Sequence, residues 1–221
     1  MKDIHGPEAT AVRDTVEPII ADLSTRAGCP RPSLRVVDKL PSGAIDTARA
    51  AAKGVGEIQL PIPLAQLYLQ TLSRDGLEHL MAHELGHIVW RRSRWALATS
   101  GFAAGMFMLA IAALLSVPVA ALSGDRWMAF LPVTLALLSG VSLIAFCFAS
   151  RKHESESDVF AVRLQGHLKG ADDLMRDYER RRAEYGRPQP RWLSALKATH
   201  PRPARRLAIM RDALAESQAN S

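Results

Sequence analysis

The chain has 221 residues, of which 48% are hydrophobic and 23% are charged, and its formal net charge is +6. This length suits one domain of ordinary size, or a small domain with added membrane segments. Cys29 and Cys147 are the only cysteines, which excludes a disulfide-rich framework and demands no oxidising compartment.

The first ninety residues predict a small domain with helices and two short strands. The predicted elements are a helix over 10–27, strands over 33–38 and 56–61, and a helix over 63–72. Ser73 is a predicted N-cap for the next helix, which contains the segment LMAHELGHIVWRR at 80–92. The N-terminus is polar, so it does not predict a signal peptide.

Two long segments without charged residues follow. Residues 95–124 and 127–150 are charge-free runs of 30 and 24 residues, and each exceeds the roughly 20 residues that cross a hydrocarbon core. A chain of this size cannot surround two helices that are apolar on all sides. The pattern therefore predicts two membrane spans, at about 96–122 and 127–149, rather than two buried core helices.

Positive residues flank this predicted hairpin on the same side. Three arginines precede the first span and Arg151 and Lys152 follow the second, whereas the link SGDRW carries one charge of each sign. Cytoplasmic flanks of membrane spans are rich in Lys and Arg. We therefore expect a multi-pass protein of the inner (cytoplasmic) membrane, with both ends of the hairpin, and hence the polar parts of the chain, in the cytoplasm.

The residues after the hairpin predict three helices and carry most of the positive charge. The helices are predicted over 152–169, 171–185 and 203–217, and residues 151–221 hold 15 Lys+Arg against 10 Asp+Glu. Such a surplus can bind nucleic acid or lie beside anionic lipid headgroups. The neighbouring spans favour the lipid surface, so we expect no nucleic-acid partner.

The segment HELGH at 83–87 predicts a metal site. His83 and His87 are four residues apart and face the same side of a helix, so both imidazoles can bind one ion. Glu84 lies beside that face and can hold a metal-bound water without binding the metal. His79 extends the stripe by one turn and is interpreted as a residue that supports the ligands, or as a surface residue.

A catalytic zinc usually has three protein ligands and one water, so a third ligand is needed. Glu154 and Asp158 lie one turn apart immediately after the hairpin, and an antiparallel hairpin would return them to the level of the histidines. We expect Glu154 to bind the metal and Asp158 to accept a hydrogen bond from an imidazole. His153 is the main alternative ligand.

Together these motifs resemble membrane zinc metallopeptidases of the HExxH gluzincin class, which include the HtpX heat-shock protease, the CAAX prenyl endopeptidases and the mitochondrial OMA-type proteases. RKHESESD at 151–158 is similar to that family's R-x-x-E-x-x-A/S-D pattern, and THPRPARRL at 199–207 to its T-H-P-x-x-x-x-R segment. The resemblance implies that His200 lies near the reaction centre and stabilises an oxyanion, and that Arg206 braces the local structure. It covers most of the chain, as a shortened form with a single transmembrane hairpin.

The expected fold is mainly α, within the α+β class: a zincin-like metalloprotease domain with a short β-sheet, interrupted by the two-helix transmembrane hairpin. The expected domains are 1–94, with the HExxH helix, 95–150, the hairpin, and 151–221, with the third zinc ligand. The family often has an Asn-Ala-Phe-Ala-like segment on the strand that pairs with substrate, and residues 45–54 lack that Asn and Phe.

The sequence predicts an enzyme, a zinc metalloendopeptidase with one zinc ion per chain. Its expected partners are the lipid bilayer and protein substrates, either misfolded or membrane-associated, which pair as extended peptides with an edge strand near 56–60. Two alternatives remain. One is a catalytically silent, membrane-anchored binding or regulatory protein that retains the fold. The other is a metal carrier or sensor that uses His79, His83, His87 and His153.

Overall fold

The structure is a computed structural model that describes residues 4–40, 48–51, 56–91, 94–123, 130–185 and 202–219. In chain order the described elements are α1 (Pro7–Arg26), β1 (Ser33–Val37), β2 (Arg49–Ala51), β3 (Glu57–Pro61), α2 (Ile62–Thr71), α3 (Arg74–Arg91), α4 (Arg94–Ser123), α5 (Phe130–Gln165), α6 (Lys169–Tyr185) and α7 (Pro203–Ala219). The predicted fold class, mainly α with a small sheet, is confirmed.

The sheet has the order β1-β3-β2, so β3 is its central strand. β1 pairs with β3 in parallel and β2 pairs with it antiparallel, which places both Leu34 and Ala50 opposite Ile58. The prediction that β3 is an edge strand open to substrate is therefore wrong. β2 was not predicted, because three residues rich in alanine carry neither alternation nor high β-propensity.

The described residues divide into two compact units. One draws on the ranges Met1–Arg92, His153–Pro188 and Pro201–Ser221, and the other on Ser93–Lys152. The hydrophobic core of the first unit joins α1, the sheet, α2, α3, the end of α5, α6 and α7, and its fully buried members include Leu23, Ile58, Leu85, Leu174 and Met210.

α3 begins where the sequence predicts. The Ser73 hydroxyl accepts a hydrogen bond from the Gly76 backbone N–H at 3.1 Å, which is an N-cap. α5 and α6 then approach α3 through small residues: a Cβ at Gly170 would collide with the Asp75 carbonyl, and a Cβ at Gly86 would lie 3.1 Å from the Ser157 Cα.

In the second unit, α4 and α5 carry the apolar segments. Among the described residues, one helix is long and apolar enough to cross a membrane, Phe130–Gln165, and only 6% of its most apolar part is buried. α4 contains a shorter described apolar stretch, Met108–Val119. The second predicted span and the predicted helix after it form one continuous helix, α5.

Candidate metal centre

One face of α3 carries the polar side chains of the site into the interior. His79, His83, Glu84 and His87 are between 0% and 8% exposed, although all four are ionisable. Buried polar groups need partners, because an unsatisfied donor or acceptor costs about 1–3 kcal/mol. For the three histidines these partners come from the last four turns of α5.

Three side chains bring their ligand atoms together on this face. His83 Nε2 lies 3.4 Å from Glu154 Oε2, and His87 Nε2 lies 3.5 Å from Glu154 Oε1. All three ligand atoms lie within 4.8 Å of one another. His83 and His87 come from one turn of α3 and Glu154 from α5, so the site links two helices that are distant in sequence.

Asp158 connects His83 to Arg206. Asp158 Oδ1 lies 2.8 Å from His83 Nδ1, and both carboxylate oxygens accept hydrogen bonds from the Arg206 guanidinium at 2.6 Å. Asp158 is completely buried and Arg206 is 4% exposed. The predicted hydrogen bond from an imidazole to Asp158 is thus present, and the partner of Arg206 is that same carboxylate.

These contacts determine the protonation states of Asp158 and His83. Burial would raise the pKa of Asp158, but Arg206 and His83 hold it well below its usual range. Burial would likewise lower the pKa of His83, but the charge and hydrogen bond of Asp158, with a bond to Glu154, raise it to about 10. An ion at His83 Nε2 would therefore have to displace a proton, because a ligating histidine is neutral.

His87 has different partners on its far side. Its Nδ1 lies 2.9 Å from the Ser157 hydroxyl oxygen and 3.1 Å from His153 Nε2. His153 therefore meets His87 at the nitrogen opposite Glu154, and among the described residues it is not a member of the three-ligand group. This position argues against the alternative in which His153 is the third ligand.

His79 is not a surface residue, since it is 0% exposed. Its Nδ1 lies 2.7 Å from Gln165 Oε1, and the Gln165 amide nitrogen donates to the Asp75 carbonyl at 3.3 Å. Burial lowers the pKa of His79 to about 4, so this histidine is neutral at pH 7. Among the described residues His79 is not in the three-ligand group either. The geometry therefore does not support the alternative of a metal carrier that binds ions through four surface histidines.

The site also contains residues that the sequence did not single out. Ser157 and Gln165 bond to His87 and His79 respectively, and both lie on α5. The i+3 spacing of Ser157 from Glu154 placed it on the ligand face, which was a usable signal. Gln165 had no comparable signal. His200 lies outside the described residues.

The donor set fits a divalent metal ion. Two imidazole nitrogens and one carboxylate are ligands that zinc accepts, and three protein ligands leave a fourth position for water or substrate. Asp158 and Arg206 form a buried ion pair, and Glu154 is the anionic member of the three-ligand group. The residues present therefore suit one ion between α3 and α5.

The chain matches the model of a known protein family. The model of peptidase family M48 matches residues 12–214, which is most of the chain. No curated protein and no solved structure matches the chain. The matched range includes the three-ligand group, Glu84, Asp158 and Arg206.

Proposed function

Because the chain belongs to peptidase family M48, whose members are metal-dependent peptidases, we propose that it is a membrane-embedded zinc-dependent endopeptidase of the HtpX-like type. His83, His87 and Glu154 are the proposed ligands of one zinc ion, and Glu84 is the proposed catalytic base. The observation that carries this proposal is the approach of the three ligand atoms to within 4.8 Å of one another. Glu84 follows His83 in α3 and is buried.

The proposed reaction is hydrolysis of a peptide bond. When bound, zinc would supply a water whose pKa is lowered to about 7 and a Lewis acid for the substrate carbonyl. Glu84 would act as the general base that accepts a proton from the attacking water, and then as the general acid that delivers it to the leaving amine. Asp158, held by Arg206, keeps His83 in the tautomer that leaves Nε2 free for the ion. His200 is proposed to stabilise the oxyanion.

The sheet restricts where an extended substrate can pair. β3 has neighbours on both sides, and on β1 the Val36 carbonyl already accepts a hydrogen bond from the Ile4 N–H at 3.1 Å. Main-chain pairing suits a protease that accepts many sequences. We therefore propose that an extended substrate pairs with a backbone other than that of β3.

The membrane assignment rests on exposed apolar surface. A core helix of a soluble protein buries its apolar face, whereas the apolar part of α5 is 6% buried. At about 100° per residue the exposed large apolar residues of α5 cover roughly 160° of its circumference; they are Phe130, Leu131, Val133, Leu137, Leu138, Val141, Ile144 and Phe148. Hydrocarbon is the environment that suits such a helix.

The remaining parts of the proposal concern topology and substrates. A second span in α4 and the positive residues that flank the hairpin give a multi-pass protein with its catalytic unit in the cytoplasm. A site held at that membrane face would meet the cytoplasmic loops and tails of membrane proteins. We therefore propose misfolded or membrane-associated proteins as the substrates, and protein quality control as the role.

The test uses the full chain purified in detergent and loaded with zinc. It should cleave an unfolded substrate such as casein, and Glu84→Gln should reduce the rate by about 10²- to 10⁴-fold, because the base is lost. Zinc content should stay at one ion per chain in both proteins. Asp172→Asn, a substitution on α6 outside the three-ligand group, is the matched carboxylate control and should retain full activity.

The same experiment distinguishes the proposed enzyme from a catalytically silent binding protein. That protein would bind casein and one zinc ion without cleaving, and Glu84→Gln would change nothing. A chain that binds several ions loosely, and loses them on dialysis, would instead be a carrier.

A further inference from the structure

The two imidazoles of the proposed metal site are supported in different ways. The Nδ1 atom of His83 lies 2.8 Å from the Asp158 carboxylate. The Nδ1 atom of His87 instead has two uncharged partners, the Ser157 hydroxyl at 2.9 Å and the His153 imidazole at 3.1 Å. Neither of these two contacts was predicted from the sequence.

The direction of these hydrogen bonds follows from the position of Glu154. His87 Nε2 faces Glu154 Oε1 at 3.5 Å, so Nε2 is the atom that would bind an ion and its lone pair must be free. A neutral imidazole then carries its hydrogen on Nδ1. The Ser157 oxygen and His153 Nε2 must therefore both be acceptors, and His153 must carry its own hydrogen on Nδ1.

One N–H group thus faces two acceptors. Either acceptor alone can receive this hydrogen, and two together restrict rotation of the ring more than one does. Ser157 is 1% exposed and packs closely against Gly86 of α3. A Cβ added at Gly86 would lie only 3.1 Å from the Ser157 Cα and 3.3 Å from its Cβ. The Ser157 hydroxyl is therefore held by the contact between α3 and α5, whereas His153 is half-buried.

We propose that Ser157 and His153 are positioning residues for His87: they share its Nδ1 hydrogen, fix the ring, and direct Nε2 towards Glu154 as a metal ligand. This inference rests on the proposed function, because it takes His87 as a ligand. Neither residue touches the ion or the substrate. Their joint effect is on the affinity for the metal and on its coordination geometry.

The shared hydrogen gives the two residues a redundant effect. Partners behind a metal-ligating histidine typically contribute about 10- to 100-fold in metal affinity. Ser157→Ala or His153→Leu alone keeps the other of these two acceptors, so each should weaken zinc binding by less than about 10-fold. The double variant removes both of them, and its loss should exceed the product of the two single losses.

The experiment titrates the metal-free full chain in detergent with Zn²⁺ against a chromophoric chelator, and records the visible spectrum of the Co²⁺-loaded protein. Ser24→Ala is the matched control, because it removes a 3% exposed hydroxyl from α1 and should leave both readouts unchanged. Ser157→Ala/His153→Gln keeps an acceptor at position 153, so it should retain most of the affinity that Ser157→Ala/His153→Leu loses. Thermal unfolding of each metal-free variant shows whether it is folded.

The double variant should also change the Co²⁺ spectrum, which a loss of fold stability alone would not do in a folded protein. The inference is overturned if the double variant binds zinc as tightly as Ser24→Ala, or if the single losses simply multiply. If the wild-type chain itself fails to hold one zinc ion, the proposed function fails instead. A wild type with one tightly bound ion and an unaffected double variant would refute the positioning role alone.

Discussion

Asp158 is the residue on which the charges of the site depend. It is fully buried and bonds to both His83 and Arg206, so its removal leaves a buried guanidinium without its anionic partner. Breaking one side of a buried ion pair typically costs about 3–5 kcal/mol. Asp158 is therefore as much a part of the fold as of the site.

We expect Asp158→Asn to lower the free energy of unfolding by about 3–5 kcal/mol and to weaken zinc binding by about 10- to 100-fold. Chemical denaturation of the metal-free protein and a chelator titration measure the two effects. The double variant Asp158→Asn/Arg206→Met removes both charges, so its loss of stability should be smaller than the sum of the single losses. A loss below about 1 kcal/mol in Asp158→Asn would contradict the buried pair.

His79 predicts a dependence of stability on pH. Its pKa is about 4 in the folded chain and about 6.5 when unfolded, so between these values the unfolded state binds more protons. Stability should therefore fall as pH falls from 6.5 to 4, by about 3 kcal/mol at the lower end. This penalty is absent above pH 6.5, where the imidazole is neutral in both states.

The variant His79→Gln cannot take up that proton. Between pH 6.5 and pH 4 the free energy of unfolding of this variant should decrease by about 3 kcal/mol less than that of the wild type. Urea denaturation of the chelator-treated proteins at several pH values measures this difference. Identical slopes for the two proteins would mean that His79 titrates normally and is accessible to water.

At the scale of elements, the close contact between α3 and α5 brings Glu154 to the histidines. Gly86 permits this contact, because a Cβ there would lie 3.1 Å from both the Ser157 Cα and the Phe160 ring. Backbone atoms of α5 cannot move aside as a flexible side chain does. A larger residue must therefore push the two helices apart.

We expect Gly86→Ala to weaken zinc binding by about 10-fold or more, even though alanine favours a helix by about 1 kcal/mol. Gly140→Ala, on the partner helix α5, is the control, since nothing lies within 4 Å of the added Cβ. It should leave the metal affinity unchanged. Equal affinities of the two variants in the chelator titration would show that the helix separation is not critical.

The sequence predicts some elements well for identifiable reasons. Ser73 marked the start of α3 because an N-cap side chain is a local signal, and the apolar periodicity marked α1 and α2. β2 was not predicted, because its strand conformation depends on pairing with β3 and not on a local sequence signal. Within 153–158 the sequence already predicted Glu154 as a ligand and Asp158 as its support. The choice between Glu154 and the adjacent His153 needed the three-dimensional contacts.

At the scale of the whole molecule, the proposed topology places the N-terminal and C-terminal parts in one compartment. Both parts contribute to the same site: His83 comes from the N-terminal part, and Glu154 and Arg206 come from the C-terminal part. A working enzyme therefore cannot have these two parts in opposite compartments. A membrane-impermeant maleimide can test this. In a Cys147→Ser background, Cys29 reports on the N-terminal part and an added Ser217→Cys on the C-terminal part.

Both cysteines should react in inside-out membrane vesicles and be protected in right-side-out vesicles. The half-buried position of Cys29 makes labelling after detergent lysis the necessary control for its reactivity. Labelling of the two sites from opposite sides would rule out the hairpin, and carbonate extraction of the protein from the vesicles would rule out the spans altogether.

The most direct test of the account is the position and coordination of the metal itself. Anomalous diffraction at the zinc edge, from crystals of the full chain grown with zinc, should show one ion between α3 and α5. We expect it to bond to Nε2 of His83 and His87 at about 2.0–2.1 Å and to a Glu154 oxygen at about 2.0–2.2 Å. An ion bound by His153 or His79 in place of Glu154, or located elsewhere on the chain, would contradict the account.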